Sequence, residues 1–298
     1  MTKMKTMRQK EEITAYLLLL PVFCLFIFFM YYPPLLGVIR SLFSWSVGKK
    51  PKFVGMQNYS AYFQSANAGR EAQNMGVLLL AGIVRGIVLP LTMAEMLFHL
   101  KSKSMKNVYK RMVMLPMVVP VIVSVLLWKY IYDPALGPIN VLLKGAGLGG
   151  LTRNWLGDPR TALYSIIFVG FPWVCTLGTL IFLGGLLQIP DSFFESAVIE
   201  GATSMKILFR IEIPLIKRQF RLQMILTAVY AVTQFNHILV MTDGGPGFTT
   251  MVPGLSMYKR AFLYNQYGMA SGIGFLLFLV ALALTILINV ATSTKEEY

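Results

Sequence analysis

The sequence is poor in charge. Only 13% of its 298 residues are Asp, Glu, Lys or Arg, against 56% that are hydrophobic, whereas a soluble domain carries about 25% charged residues. So few charges cannot clothe that much apolar surface in water, which excludes a soluble enzyme. The ordinary glycine and proline content excludes a disordered or fibrous chain. There are two cysteines, Cys24 and Cys175, both inside apolar runs, and a structural disulfide is not expected. The two histidines, His99 and His237, lie far apart, and no His-Glu-x-x-His or Cys/His cluster occurs, so neither a metal site nor a bound cofactor is expected. No Gly-x-x-x-x-Gly-Lys-Ser/Thr exists, since Phe43 stands where Gly48-Lys49 would need its upstream glycine; the chain has no phosphate cradle of its own. Nucleophile–base pairs and paired intramembrane carboxylates are also missing. No catalytic residue is assigned, and any energy source lies elsewhere.

What is present is apolar length. A helix crosses the roughly 30 Å hydrocarbon layer in about 20 residues, and six runs reach this: 13–32, 74–99, 112–131, 161–188, 222–242 and 268–292. Lys129 lies near the end of its run and can snorkel; Arg85 and Glu95 fall inside the second. The first run is too long for a signal-peptide core and has no small-residue cleavage site, so it is expected to remain as a span. The net charge of +14 would suit a nucleic-acid binder in a polar chain, but here the lysines and arginines concentrate in alternate, shorter loops and orient the helices. Both termini are expected on the cytoplasmic side, and no nucleic acid is expected as a partner. Ser41 to Phe63, with Trp45, Phe53, Tyr59 and Tyr62, suits an interfacial cap.

The longest loop on the inner side, 189–217, is the most informative. After Pro190, Ser192-Phe193-Phe194-Glu195 fits a capping box, a short helix runs to Glu200, and Gly201 ends it. A second helix follows over 204–210, and Pro214 forbids its unchanged continuation. The result is a helix–turn–helix knob, which on local physics alone is either a capped linker or a plug for a partner's groove.

Its residues resemble a known family. Glu195-Ser196-Ala197, three residues, Gly201, nine residues, then Ile211-x-Ile213-Pro214 looks like the Glu-Ala-Ala loop of binding-protein-dependent ABC importer permeases, with Glu200 where the family often has Asp. Ser196 and Ile213 are small departures. Thr242-Asp243-Gly244-Gly245-Pro246, then Thr249, Thr250 and Tyr258-Lys259-Arg260-Ala261-Phe262, resembles the loop before the last span in the carbohydrate-importing, maltose-type branch. The resemblance implies an all-α membrane protein with the type I ABC importer permease architecture: six transmembrane helices and a cytoplasmic helix–turn–helix coupling loop, in one permease domain spanning 1–298 and lying in the bacterial cytoplasmic membrane. It implies that Glu195, Ser196, Ala197, Glu200, Gly201, Ile211, Ile213 and Pro214 form the loop that docks on an ATPase subunit. It also implies a dimer of ATP-binding subunits holding ATP and Mg, a second homologous permease, and an extracytoplasmic sugar-binding protein, with membrane lipid around the spans.

The residues themselves suggest a path. Gln223, Thr227, Tyr230, Gln234 and His237 step by four and three, placing them on one helical face, and Trp173, Thr176 and Thr179 step by three. Neutral polar groups beside aromatic rings suit sugar hydroxyls and C–H faces; helix–helix bonding is the alternative for both stripes. Thr227 and Gln234 also fall where the similar maltose-type permease has polar sugar contacts, while Ala231 departs from it. Arg85 must face protein and find carbonyls, a partner chain or an anionic sugar. The resulting expectation is an importer subunit moving a sugar or oligosaccharide by alternating access coupled to a separate ATPase. The competing class is an ion-coupled secondary sugar carrier.

Overall fold

The computed structural model describes residues 2–292, with side chains from Glu12 onward. Its elements in chain order are α1 (Thr2–Phe26), a π-helical turn (Ile27–Tyr31), α2 (Tyr32–Arg40), β1 (Phe43–Ser44), β2 (Lys52–Phe53), α3 (Gln57–Phe63), α4 (Ala68–Phe98), α5 (Lys103–Met114), α6 (Val121–Ile131), α7 (Pro138–Gly145), α8 (Ala162–Phe168), α9 (Thr176–Leu186), α10 (Asp191–Ile199), α11 (Ser204–Ile207), a π-helical turn (Leu208–Glu212), α12 (Ile213–Leu215), α13 (Lys217–Thr233), α14 (Asn236–Met241), α15 (Pro253–Phe262) and α16 (Tyr267–Thr292). Among the described residues the fold is all-α apart from the two-residue antiparallel ladder of β1 and β2.

Among the described residues three continuous helices are long and apolar enough to cross a membrane: Glu12–Arg40, Ala68–Phe98 and Tyr267–Thr292. The other expected runs are broken. Lys103–Val118 and Val121–Ile131 meet at 85°, where Pro120 caps α6 and holds Val119 extended, as a residue before proline prefers. Thr176–Leu186 and Asp191–Ile199 meet at 69° across Pro190. The 161–188 run is α8 and α9 separated by Gly170-Phe171-Pro172-Trp173, and the 222–242 run is α13 and α14 separated at Gln234-Phe235. Backbone polar groups freed at such breaks are tolerated at membrane depth only where protein or water receives them.

The chain forms two compact units. One comprises the residues up to Gln64 together with Met257–Leu276. Here Asn58 Nδ2 donates to the Ser41 and Phe43 carbonyls at 2.6 and 3.0 Å, and the Ser41 and Tyr59 hydroxyls bond at 2.6 Å. Tyr59 and Tyr62 are buried while Phe53 is exposed, so only part of the expected aromatic cap packs inward.

The other unit, Ser65–Ser256 with the chain from Leu277, is built around α4. At 1.5 Å per residue its 31 residues span about 46 Å. Glycines let α9 and α13 approach one another and α4. A Cβ on Gly86 would lie 2.5 Å from Thr227 Oγ1 and 2.9 Å from its Cγ2, and one on Gly178 would meet Gln223 and Pro90. Below these contacts Ala94, Leu97, Phe182, Leu183, Leu186, Ile189 and Ile216 form a buried cluster. Gly86→Ala is expected to lower stability by about 1–3 kcal/mol through overpacking, read as a lower Tm in detergent. Thr227→Ala in the same chain removes Oγ1 and Cγ2 and is expected to restore most of the loss, a coupling measurable by a double-mutant cycle.

Candidate functional site

Two features stand out in the α4 unit: a cavity and, next to the buried cluster, the knob. The cavity encloses about 600 Å³ and is walled by α4, α8, α13, α14 and the break before α9. Leu78, Ile166, Leu226 and Ile238 give it apolar walls, and Arg85, Trp173, Gln223, Thr227, Tyr230, Gln234 and His237 give it polar groups. The five-residue stripe expected from sequence therefore lines one space, although not on one helix. Gln234 is extended, with φ −79° and ψ 127°, and the break sits where the Phe235 ring packs on Gly254. Gln223 is committed to the structure, donating from Nε2 to the Gly86 carbonyl at 2.9 Å. Tyr230 and Gln234 line the cavity, as does Thr227, whose Oγ1 also accepts from Gln223 Nε2 at 3.5 Å. Ala231 lines it as well.

Trp173 also lines the cavity, held by ring contacts to Phe168 at 5.3 Å and Phe171 at 5.0 Å, and its buried Nε1 has no hydrogen-bond partner. Thr176 and Thr179 lie elsewhere. Thr176 donates to the Val113 carbonyl of α5 at 2.6 Å. Thr179, fully buried, donates to the Cys175 carbonyl at 2.9 Å. The Thr176 hydroxyl thus joins α9 to α5, the helix–helix bonding that the sequence left open, whereas that of Thr179 bonds back to the start of its own helix. Arg85 both satisfies and exceeds its expectation: Nη1 donates to the Ile167 carbonyl at 2.9 Å, while Nε stays buried in the cavity wall without a partner. Lys129 donates to the Val240 carbonyl at 2.9 Å, a polar tip satisfied by protein.

Beside the cavity lies the loop that follows α14. The Thr242 and Thr250 hydroxyls bond each other at 2.8 Å, Thr250 also donates to the Gly245 carbonyl at 2.8 Å, and Thr249 donates to the Pro246 carbonyl at 2.7 Å. Gly244 takes φ +86° with Met251 Sδ 2.5 Å from where a Cβ would sit, so glycine is required there twice over. Sequence reasoning missed Asn74, whose buried amide donates from α4 to the Thr249 and Met251 carbonyls at 3.0 and 2.8 Å. Nothing local marks this residue, because its partners lie far along the chain. Asn74→Ala leaves two carbonyls without their donor and is expected to cost about 1–3 kcal/mol, read as a lower Tm and faster proteolysis of the loop.

The knob is joined to the same helices. α10 ends in a Schellman turn: Gly201, at φ +70°, donates to the Val198 carbonyl at 3.0 Å and Ala202 to the Ala197 carbonyl at 2.9 Å. The capping box is corrected, since α10 starts at Asp191 with Pro190 as its cap and no side-chain cap bond forms; proline has already fixed the entry conformation. The second helix is corrected too. It runs past Arg210 as a π turn and continues through Pro214 to Leu215, because proline sits in the first turn of α12, where no N–H is required. Of the residues singled out there, Ala197 is buried and Ile211 and Ile213 are half-buried, whereas Glu195, Ser196, Glu200, Gly201 and Pro214 are exposed. The tip also presents apolar surface, Ile199 at 86% and Val198 at 66% exposure. Its root is anchored: Phe194 packs 5.8 Å from Phe98 of α4, and Phe182 of α9 lies 4.9 Å from Phe220 of α13. The knob's root is thus packed on α4, and α9 on α13, helices that take part in walling the cavity.

Residues 86–294 match the family described as the binding-protein-dependent transport system inner membrane component. The probable ABC transporter permease protein YurN of Bacillus subtilis is 32% identical over 98% of this chain and 100% of its own length. The trehalose/maltose transport system permease protein MalF of Thermococcus litoralis is 29% identical over 94% of both. In fold, a chain in the crystal structure of a bacterial ABC transporter that imports the acidic polysaccharide alginate superposes with a TM-score of 0.83 at 22% identity, covering 95% of this chain and 96% of that one.

Proposed function

The chain belongs to the family of binding-protein-dependent transport system inner membrane components, and from that premise we propose that it is the path and lever of an ATP-driven sugar importer. The observation that carries the cargo assignment is the cavity wall, where Thr227, Tyr230 and Gln234 present neutral hydrogen-bonding groups beside Trp173. A sugar offers hydroxyls to such groups and apolar C–H faces to the indole. The trehalose/maltose permease of T. litoralis and the multiple sugar-binding transport system permease MsmF of Streptococcus mutans, 29% identical over 94% of this chain, support the same class.

In this reading six spans cross the membrane, formed by α1–α2, α4, α5–α6, α8–α9, α13–α14 and α16, with both termini cytoplasmic. The knob, with Glu195, Ser196, Ala197, Glu200, Gly201, Ile211, Ile213 and Pro214, seats in a groove of an ATP-binding subunit, two of which carry ATP and Mg. A second homologous permease completes the pathway, and an extracytoplasmic binding protein delivers the sugar. Closure of the ATPase dimer moves the knobs, and the buried cluster at their root passes that motion to α4, α9 and α13. The ligands drive the cycle only through their differential affinity for the outward-facing state. Co-purification in mild detergent tests the assembly: an ATPase and a second permease are expected with this chain, and its isolation as a lone transporter would overturn the reading.

A further inference from the structure

At the root of the knob lies a cluster to which the proposed function assigns no role. Glu95 and His99 stand one turn apart at the end of α4 and so share a face, and Glu212 closes the π-helical turn within the knob's second helix. His99 Nε2 lies 3.4 Å from Glu95 Oε2 and 3.0 Å from Glu212 Oε1, and one ligand atom from each of the three falls within 4.8 Å of the others. Glu212 is 1% exposed, and its Oε1, aimed into the cluster, has no hydrogen-bond partner despite the nearby ring nitrogen; Glu95 Oε1 is likewise buried and unpartnered. Neither carboxylate has a lysine or arginine partner among the described residues. Lys106, the cation beside this corner, donates instead to the Phe98 carbonyl at 3.0 Å.

Two adjoining carboxylates largely withdrawn from water, beside one exposed imidazole, call for a positive charge between them. We propose that Glu95, His99 and Glu212 bind a divalent first-row transition-metal ion of the zinc type, which ties the end of α4 to the second helix of the knob. The donor set suits it: imidazole nitrogen and carboxylate oxygen hold zinc at about 2.0–2.2 Å. Tetrahedral geometry at that bond length puts ligand atoms about 3.3–3.6 Å apart, close to the two separations observed. The His99 side chain is 58% exposed, which leaves an entry route and room for water as the fourth ligand. With such an ion bound, conformations that keep the knob root on α4 are favoured over those that separate them.

Cobalt(II), whose visible ligand-field bands report coordination, is the probe. The full chain, without a polyhistidine tag, is stripped with chelator in detergent and titrated with cobalt(II). One equivalent per chain is expected, displaced by zinc(II), with affinity reduced at least tenfold in His99→Ala and Glu212→Gln and unchanged in His237→Ala. His99 is exposed enough for its alanine variant to fold, so that variant decides if Glu212→Gln does not. No bound cobalt, or binding that His99→Ala leaves intact, overturns the proposal; the first result would mean that the carboxyls share a proton.

Discussion

Gly201→Val is expected to reduce sugar uptake by the assembled importer at least tenfold while ATP hydrolysis persists and the protein remains inserted. Gly201 sits at φ +70°, where a β-branched residue is strained by roughly 1–2 kcal/mol. No atom lies within 4 Å of the position a Cβ would take, so the cost is purely conformational and the buried cluster is untouched. The valine instead opens the Schellman turn and re-aims α11 relative to α10, spoiling the fit of the tip. Gly201→Asn separates this from a simple effect of added bulk, because asparagine tolerates the left-handed conformation; it is expected to keep most of the uptake. Parallel assays of uptake and ATPase activity in proteoliposomes check both variants.

The second large effect belongs to the cavity. Thr227→Val with Gln234→Leu keeps the shape of the wall but removes two groups that face the cavity. Each leaves a sugar hydroxyl unpaired at a cost of about 1–3 kcal/mol, so the pair is expected to lower uptake efficiency on the order of 100-fold. Gln223 keeps its 2.9 Å bond to the Gly86 carbonyl and loses only its longer, 3.5 Å contact with Thr227 Oγ1, so the Tm should fall little. A large loss of Tm with unchanged uptake would assign the stripe to helix packing instead. Uptake at graded sugar concentrations, together with thermal unfolding in detergent, distinguishes the two.

What could be read from the sequence was what depends on neighbours along the chain. The turn at Gly201 was legible because a left-handed residue after a short helix calls for glycine, and the Gly244-Gly245-Pro246 loop because its threonines bond back to its own backbone. Arg85 was legible as a charge that must face protein, with a carbonyl among the partners expected of it, and Ile167 supplies one. Spacing alone failed where a face has two possible neighbours. Thr176 and Thr179 share a helical side with no bearing on the cavity, since α5 and their own helix claim those hydroxyls. Periodicity likewise ran the fifth apolar segment through Gln234 without a break, because the packing of Phe235 on Gly254 leaves no local trace. Asn74 and the Glu95–His99–Glu212 cluster were invisible for the same reason: each joins segments distant in sequence.

The central claim is that this chain conducts sugar only when an ATPase pulls on its knob. Its most direct test is uptake of radiolabelled sugar into proteoliposomes holding this chain, its co-purified permease and ATPase, and the binding protein. Uptake is expected to need ATP and every component, and to survive dissipation of ion gradients. Uptake by this chain alone, driven by a proton or sodium gradient without ATP, would contradict it.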